Sequence, residues 1–305
     1  MATQTKPVLV VGSAALDTIH TPVGSVDDAL GGSCFYFSTA ASLFTPVRMV
    51  AVIGADFPRK LIDFLNDRDV DLSGLMVEPG ETFRWGGKYF DDPNKRETLF
   101  TKLGVFENFQ PKIPGHFRDT PIVFLGNIHP DLQISVLDQI SKPELVILDT
   151  MNFWISGTPD RLKEVISRVD ALLVNDEEAT ELTGKINLFE AADALLDMDL
   201  QAVVVKKGQH GAILFREGMP PFFAPAYPVR NVKDPTGAGD TFAGGFIGYL
   251  ANHDLADDNV WRQAIIYGTA VASASVEDFS LDRLKNVNMD ELEVRVDELR
   301  SMTRF

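Results

Sequence analysis

The chain has 305 residues, 45% of them hydrophobic and 24% charged, values of a globular protein and not of a disordered, collagen-like or repeat chain. Its 28 Lys and Arg against 44 Asp and Glu give a net charge of −16, which opposes non-specific attraction to nucleic-acid phosphates and anionic lipid. Cys34 is the only cysteine, which rules out an intramolecular disulfide and a cysteine-based metal site.

No apolar run nears the roughly 20 residues of a membrane span. No charged-then-apolar signal segment precedes Val8. The expectation is a cytoplasmic protein with no nucleic-acid or membrane partner.

In chain order, short apolar, β-branched runs at Val8–Val11, Val47–Ile53, Ile122–Leu125, Leu145–Leu148, Ala171–Val174 and Ala202–Val205 read as strands buried on both faces. Helical segments are expected between them at Cys34–Phe44, Lys60–Arg68, Leu132–Ile140, Pro159–Val169 and Leu188–Asp197, the last opened by Asn187 with Glu190 three residues on. Strand and helix alternating at this spacing imply right-handed crossovers and a parallel sheet covered on both faces, an α/β fold. Residues 82–104 break the alternation: aromatic and Thr-rich arms flank Asp-Asp-Pro-Asn-Lys, which predicts a β-hairpin projecting as a flap. Met289, Leu292, Val296 and Leu299 fall at helical spacing in the tail and predict a surface helix. With no internal repeat and no linker, one domain over residues 1–305 is expected, carrying the 82–104 hairpin as a lid.

The chemistry concentrates in Asp234-Pro-Thr-Gly-Ala-Gly-Asp240. Beyond Asp240, Phe242, Phe246, Tyr249 and Leu250 form one helical stripe, while Gly244, Gly245 and Gly248 leave another face bare for close packing. Gly237, Ala238 and Gly239 thus form a small-residue turn at a helix start, where unpaired N–H groups and the positive dipole end make an anion site. A carboxylate in that first turn, Asp240, is electrostatically comfortable and is placed to take the proton of an attacking hydroxyl while the amides hold a phosphoryl group. The plainer reading is a glycine-softened turn with Asp240 as a helix cap. A Walker loop occurs nowhere, and no Gly-x-Gly-x-x-Gly follows the first strand, so a dinucleotide-binding oxidoreductase is disfavoured.

Asp234–Asp240 followed by Thr-Phe-Ala-Gly-Gly-Phe resembles the C-terminal signature of the ribokinase-like, or PfkB carbohydrate kinase, family. The resemblance runs nearly the length of the chain: Val10-Val11-Gly12 with Asp17 resembles the family's first strand and substrate-binding Asp, Gly31-Gly32 its N-terminal Gly-Gly signature, Asn175-Asp-Glu-Glu178 its Asn-x-x-Glu motif, and Lys207-Gly208-x-x-Gly211 its nucleotide-loop glycines. The fold implied is ribokinase-like: a central, mostly parallel sheet with helices on both faces and a small β lid. The implied activity is transfer of the γ-phosphoryl group of Mg·ATP to a sugar hydroxyl, the alternative acceptor being a nucleoside.

By the same resemblance Asp240 is the catalytic base, and Gly237, Ala238 and Gly239 are the anion hole. Asp17, Gly31, Gly32, Ser33 and Asn127 face the acceptor; Asn175, Lys207, Gly208 and Gly211 line the nucleotide cleft. Asn175 and Glu178 organise Mg²⁺ through water, as suits a cation that dehydrates reluctantly. Asp234 and Thr236 offer backbone carbonyls to K⁺. Taken by themselves, Asn175 and Glu178 read as a capping box, Asp17 as a turn residue, Asp149 as a strand end that is also well placed for the cleft, and Cys34 as a small buried hydrophobe. His129 is a further residue placed to face substrate.

Three features depart from the family pattern. Ser33 stands third in the Gly-Gly motif, where sugar-specific members often carry Lys or Ala followed by Asn. Only 14 positions (31 − 17) separate Asp17 from Gly31, so the lid is expected to be little more than the 82–104 hairpin. Tyr267-Gly268-Thr269-Ala270 stands where an Asn-containing stretch is common. The identity of the acceptor and the choice between monomer and homodimer stay open. On the hairpin, Trp85, Tyr89 and Phe90 are candidates to cover an apolar face of the acceptor and Arg84, Lys88 and Arg96 to reach a hydroxyl or phosphate; the plainer reading packs these aromatics on the sheet. The reading from another class is a non-catalytic binding protein on the same scaffold.

Overall fold

A computed structural model describes residues Thr5–Arg304. Residues 1–4, read above as leading into the first strand without a signal segment, lie outside the described residues, as does Phe305. The main sheet has nine strands: β1 (Val8–Val11), β4 (Val47–Gly54), β5 (Val70–Glu78), β8 (Ile122–Leu125), β9 (Leu145–Asp149), β10 (Ala171–Asn175), β11 (Ala202–Lys206), β12 (Ala212–Arg216) and β13 (Phe222–Ala224). Their order is β13-β12-β11-β10-β9-β8-β1-β4-β5. All pairs are parallel except β11–β12 and β12–β13. β5, β12 and β13 lie outside the runs recognised in the sequence.

The apolar runs are explained by burial on both sides. Val8 and Val10 of β1 pack into one core and Leu9 and Val11 into the other, so no position on the strand meets water. One face carries α1 (Ser33–Ala41), α7 (Ala238–Leu250), α8 (Asp258–Ser275) and α9 (Met289–Met302). The other carries α2 (Pro130–Leu137), α3 (Asn152–Gly157), α4 (Pro159–Ile166), α5 (Asp176–Thr183) and α6 (Leu188–Leu196). The expected 60–68 helix is a 3₁₀ segment, Arg59–Arg68. The glycine face of α7 packs on α1 so closely that a Cβ on Gly244 would stand 2.5 Å from the Phe37 carbonyl oxygen. The tail helix buries Leu292, Val296 and Leu299 as its spacing predicts.

The 82–104 segment is a hairpin of β6 (Phe83–Tyr89) and β7 (Arg96–Lys102), but it does not stand alone. β2 (Ala15–Thr21) and β3 (Gly24–Gly31) extend it to a four-stranded sheet ordered β3-β2-β6-β7. The expectation of a hairpin-only lid is therefore corrected: the 14 positions after Asp17 hold most of a strand pair, because the turn at Pro22-Val23 uses almost none of the length. Asp17 is correspondingly a strand residue, not a turn residue. The order of the main sheet reverses at β1, which has β4 on one side and β8 on the other. Ligands of open α/β sheets bind at such a point, outside the strand carboxyl ends.

Candidate active site

A cavity of about 150 Å³ opens at that reversal. Ser13, just beyond β1, and Asn127, just beyond β8, form one wall; Asp17 and Trp85 from the small sheet, Tyr36 from α1 and Asp240 from α7 close the others. Gly32, Ser33, Thr236, Gly237 and Arg96 also line it. Residues 223 positions apart in sequence (240 − 17) thus share one cavity.

Glycine makes two of these placements sterically feasible. Gly237 caps α7 at φ +70°, in the left-handed region, and a Cβ there would lie 2.3 Å from the Tyr36 ring. At Gly31 a Cβ would lie 2.0 Å from Asp17 Oδ2, so the Asp17 carboxylate occupies the space that the missing side chain leaves. No side chain caps α7, and the Ala238 amide donates to the Pro235 carbonyl at 3.2 Å. The turn is braced from below by Asp234, whose carboxylate accepts the Thr236 and Ser280 N–H groups at 2.8 Å each. It is braced from above by a 3.1 Å hydrogen bond between the Thr236 and Tyr89 hydroxyls, which ties β6 to the turn.

Three acids here do not behave as ordinary carboxylates. Burial first, then Asp234 and Asp240, pushes the Asp17 carboxyl up to about 8 against the Gly32 N–H that favours its charged form. Burial and then Asp149 push Asp240 up to about 7, while Lys206 and Arg96 pull the other way. Glu178 likewise reaches about 7, mainly through burial. Asn175 Oδ1 accepts the Glu178 N–H at 2.7 Å and Glu178 Oε2 accepts the Asn175 N–H at 2.8 Å, so the capping box is fully formed.

In the loop after β11 Gly208 takes φ +54° and Gly211 φ +87°, with Asn94 of the hairpin tip so close that a Cβ on Gly208 would be 2.5 Å from its Oδ1. Lys207 does not reach the cavity: its ammonium pairs with Asp176 at 2.9 Å. Lys206, one residue earlier, is turned inward and bonds both Asp149 oxygens at 3.1 Å. Asn127 lines the cavity while its Oδ1 accepts the Trp154 indole N–H at 2.9 Å. His129 instead caps α2 by accepting the Asp131 N–H at 3.1 Å.

Of the hairpin cations only Arg96 lines the cavity, stacked 5.6 Å from the Trp85 ring centre; Arg84 pairs with Asp28 and Asp56, and Lys88 lies over Phe90. Tyr89 is buried and Phe90 is exposed. Cys34 is fully buried. Tyr267 stacks on Tyr249 and donates to Glu293.

Sequence reasoning passed over Tyr36, Phe83, Ser13 and Lys206. Tyr36 is 1% exposed, and its hydroxyl has no partner among the described residues. The one local signal for Lys206 was a lysine ending an otherwise apolar strand, Ala-Val-Val-Val-Lys. Among the described residues no three His, Cys, Asp or Glu side chains gather as an all-protein metal site, and no helix is long and apolar enough to cross a membrane.

The arrangement sets a carboxylate beside an uncapped helix start, across a cavity from a second carboxylate, a combination suited to holding a hydroxyl compound against a phosphoryl group. Residues 134–285 match the pfkB family of carbohydrate kinases. The fold is similar to that of the nucleoside kinase of Methanocaldococcus jannaschii, with a TM-score of 0.77 at 20% identity over 98% of this chain and all of that one. Arabidopsis thaliana ribokinase complexed with ribose and ATP gives 0.77 at 22% identity over 96% of this chain and 99% of that one. The chain is also 30% identical to the cytidine kinase of Thermococcus kodakarensis over 258 residues, which are 82% of this chain and 91% of that protein. That degree of identity over that share of both proteins makes the chain a member of the PfkB, ribokinase-like family of carbohydrate kinases, and thereby an ATP-dependent kinase.

Proposed function

We propose that the acceptor is a nucleoside, phosphorylated on a primary ribose hydroxyl by Mg·ATP. The observation that carries this is the make-up of the cavity lining: three aromatic rings, Phe83, Trp85 and Tyr36, share it with the acids Asp17 and Asp240, a combination that suits a flat base joined to a hydroxyl-bearing ribose. The similarity to a cytidine kinase and a nucleoside kinase supports it.

In this reading the Asp17 carboxyl, which holds its proton up to about pH 8, donates to one ribose hydroxyl and accepts from another, and Tyr36 supplies as a further contact a hydroxyl that has no partner among the described residues. Asp240 accepts the proton of the primary hydroxyl as that oxygen bonds the γ-phosphorus; the β–γ bridging bond breaks, and its electron pair leaves on ADP. The Gly237 and Gly239 amides hold the transferring phosphoryl oxygens, the Ala238 N–H being donated to the Pro235 carbonyl. Gly208 and Gly211, with Lys207 beside them, form the nucleotide wall. Glu178 fits a divalent cation: its buried carboxyl, pushed up to about 7, forms no ion pair among the described residues and keeps one oxygen outside the capping box. Mg²⁺ held there and by Asn175 through water would neutralise charge on the phosphates. The backbone carbonyls of Asp234 and Thr236 are where K⁺ would bind. Residues 1–305 act as one kinase domain, with the four-stranded sheet as the cover that excludes water.

A second reading, a free sugar as acceptor, is favoured by the modest cavity, about 150 Å³. ADP release from Mg·ATP across a panel of sugars, sugar phosphates and nucleosides separates the two. Asp240→Asn is expected to lower kcat at least about 10²-fold with ATP affinity little changed. Turnover stimulated by sugars alone would remove the nucleoside reading, and normal turnover by the Asp240→Asn variant would remove Asp240 as base.

A further inference from the structure

Lys206 is a largely covered cation, its side chain 19% exposed, to which the proposed reaction gives no role. It ends β11, and its ammonium crosses the end of β10, beside Asn175, to reach Asp149 at the end of β9. Its Nζ stands 3.4 Å from where a Cβ would sit on Gly239, the last residue of the glycine turn. Two residues further along the chain is Gly208 of the nucleotide loop. The ammonium therefore lies between the loop assigned to the nucleotide and the turn assigned to the phosphoryl group, with Glu178 and Asp240 within electrostatic reach.

A buried ion pair by itself stabilises little, because desolvating two charges offsets most of their attraction. Neutralising Asp149 is thus a weak reason to keep a lysine here. A triphosphate entering a site rich in carboxylates gives a stronger one. The other cation acting on Asp240 is Arg96, which is exposed on the hairpin; Lys206 is fixed within the sheet.

Resting on the kinase reading above, we propose that Lys206 is a catalytic residue that donates to the γ-phosphoryl group of bound ATP, with Asp149 as the positioning residue that aims its ammonium at the glycine turn. An ammonium has three donors, so Lys206 can keep Asp149 while it contacts the phosphoryl oxygens. As the acceptor oxygen bonds the γ-phosphorus and the bond to ADP breaks, the cation stabilises the equatorial oxygens; its own proton count does not change.

The test compares wild type, Lys206→Met, Asp149→Asn and the double variant Asp149→Asn/Lys206→Met for binding of Mg·AMP-PNP and Mg·ADP by calorimetry, with melting curves alongside. Lys206→Met is expected to weaken Mg·AMP-PNP at least tenfold and Mg·ADP less than threefold, and to lower kcat about 10²-fold. The double variant, which leaves no unpaired charge, is expected to stay as weak towards Mg·AMP-PNP. If Lys206 serves only as the counter-ion of Asp149, the double variant recovers wild-type discrimination, and the proposal falls. Equal loss for both nucleotides, or none, also overturns it. Should Lys206→Met alone not fold, the double variant decides. Because binding of the triphosphate needs no acceptor, a wild type that binds both nucleotides but turns over nothing would sink the kinase reading, while the binding comparison would still decide Lys206.

Discussion

Two helices begin on the same edge of the main sheet and treat their first turns in opposite ways. α5 satisfies itself: Asn175 and Glu178 exchange side-chain and backbone hydrogen bonds, and Glu178 is left with one oxygen to spare. α7 begins at Gly237 with no side-chain cap, and its first turn faces the cavity. Both carry the positive end of a helix dipole. The first is a closed anchor that can share an oxygen with a hydrated cation; the second is left for an anion to complete. On the function proposed for the chain, binding and chemistry are divided between these two helix starts, one capped by Asn175 and the other opened by Gly237.

Gly237→Ala forces an L-residue to φ +70° and drives its Cβ into the Tyr36 ring. A loss of about 10²-fold in kcat is expected with a stability cost of about 1–3 kcal/mol, read by turnover and by denaturant melts. Turnover preserved at reduced stability would show that the open turn is only structural.

At α5, Glu178→Gln removes the carboxylate charge while Gln still completes a capping box. Melting temperature should hold, while kcat/KM falls about tenfold or more and the Mg²⁺ needed for half-activity rises. An unchanged Mg²⁺ requirement would reduce Glu178 to a cap.

The smallest effect concerns Asp17. Its carboxyl is raised from 3.8 to about 8 in the folded protein, so the folded state holds its proton more tightly than the unfolded one. The stabilisation this contributes is complete below about pH 3.8 and is lost as pH rises to about 8. Asp17→Asn, which never ionises, should match wild type near pH 4 and melt about 2 °C or more above it at pH 9. A difference independent of pH would mean that Asp17 stays charged throughout.

What could be read directly was local in cause. The runs that became β1, β8, β9, β10 and β11 are apolar because both faces are covered, and Asn175 with Glu178 is a cap written within four residues. The Asp234–Asp240 turn carried its helix start in its own composition. The β2–β3 pair escaped because those strands cover the cleft with one side and leave β3 largely in water, so their burial alternates irregularly and no apolar run marks them. Tyr36 escaped for the reverse reason: it lies in a helix buried all round, where one more aromatic draws no notice.

Sequence alone determined the alternating α/β architecture, the glycine-opened helix start with its carboxylate, and the family the chain resembles, since each rests on short-range pattern or on a contiguous motif. Only the tertiary structure decided which polar residues meet. It brought Asp17 onto Gly31 and across from Asp240, and carried the hairpin tip to Gly208. It also turned Lys206 inward to Asp149 while Lys207 pairs with Asp176. Lys206 is the last residue of β11 and Lys207 lies just past it, so the place where the strand ends, fixed by its pairing with β10, decides which of two adjacent lysines meets Asp149.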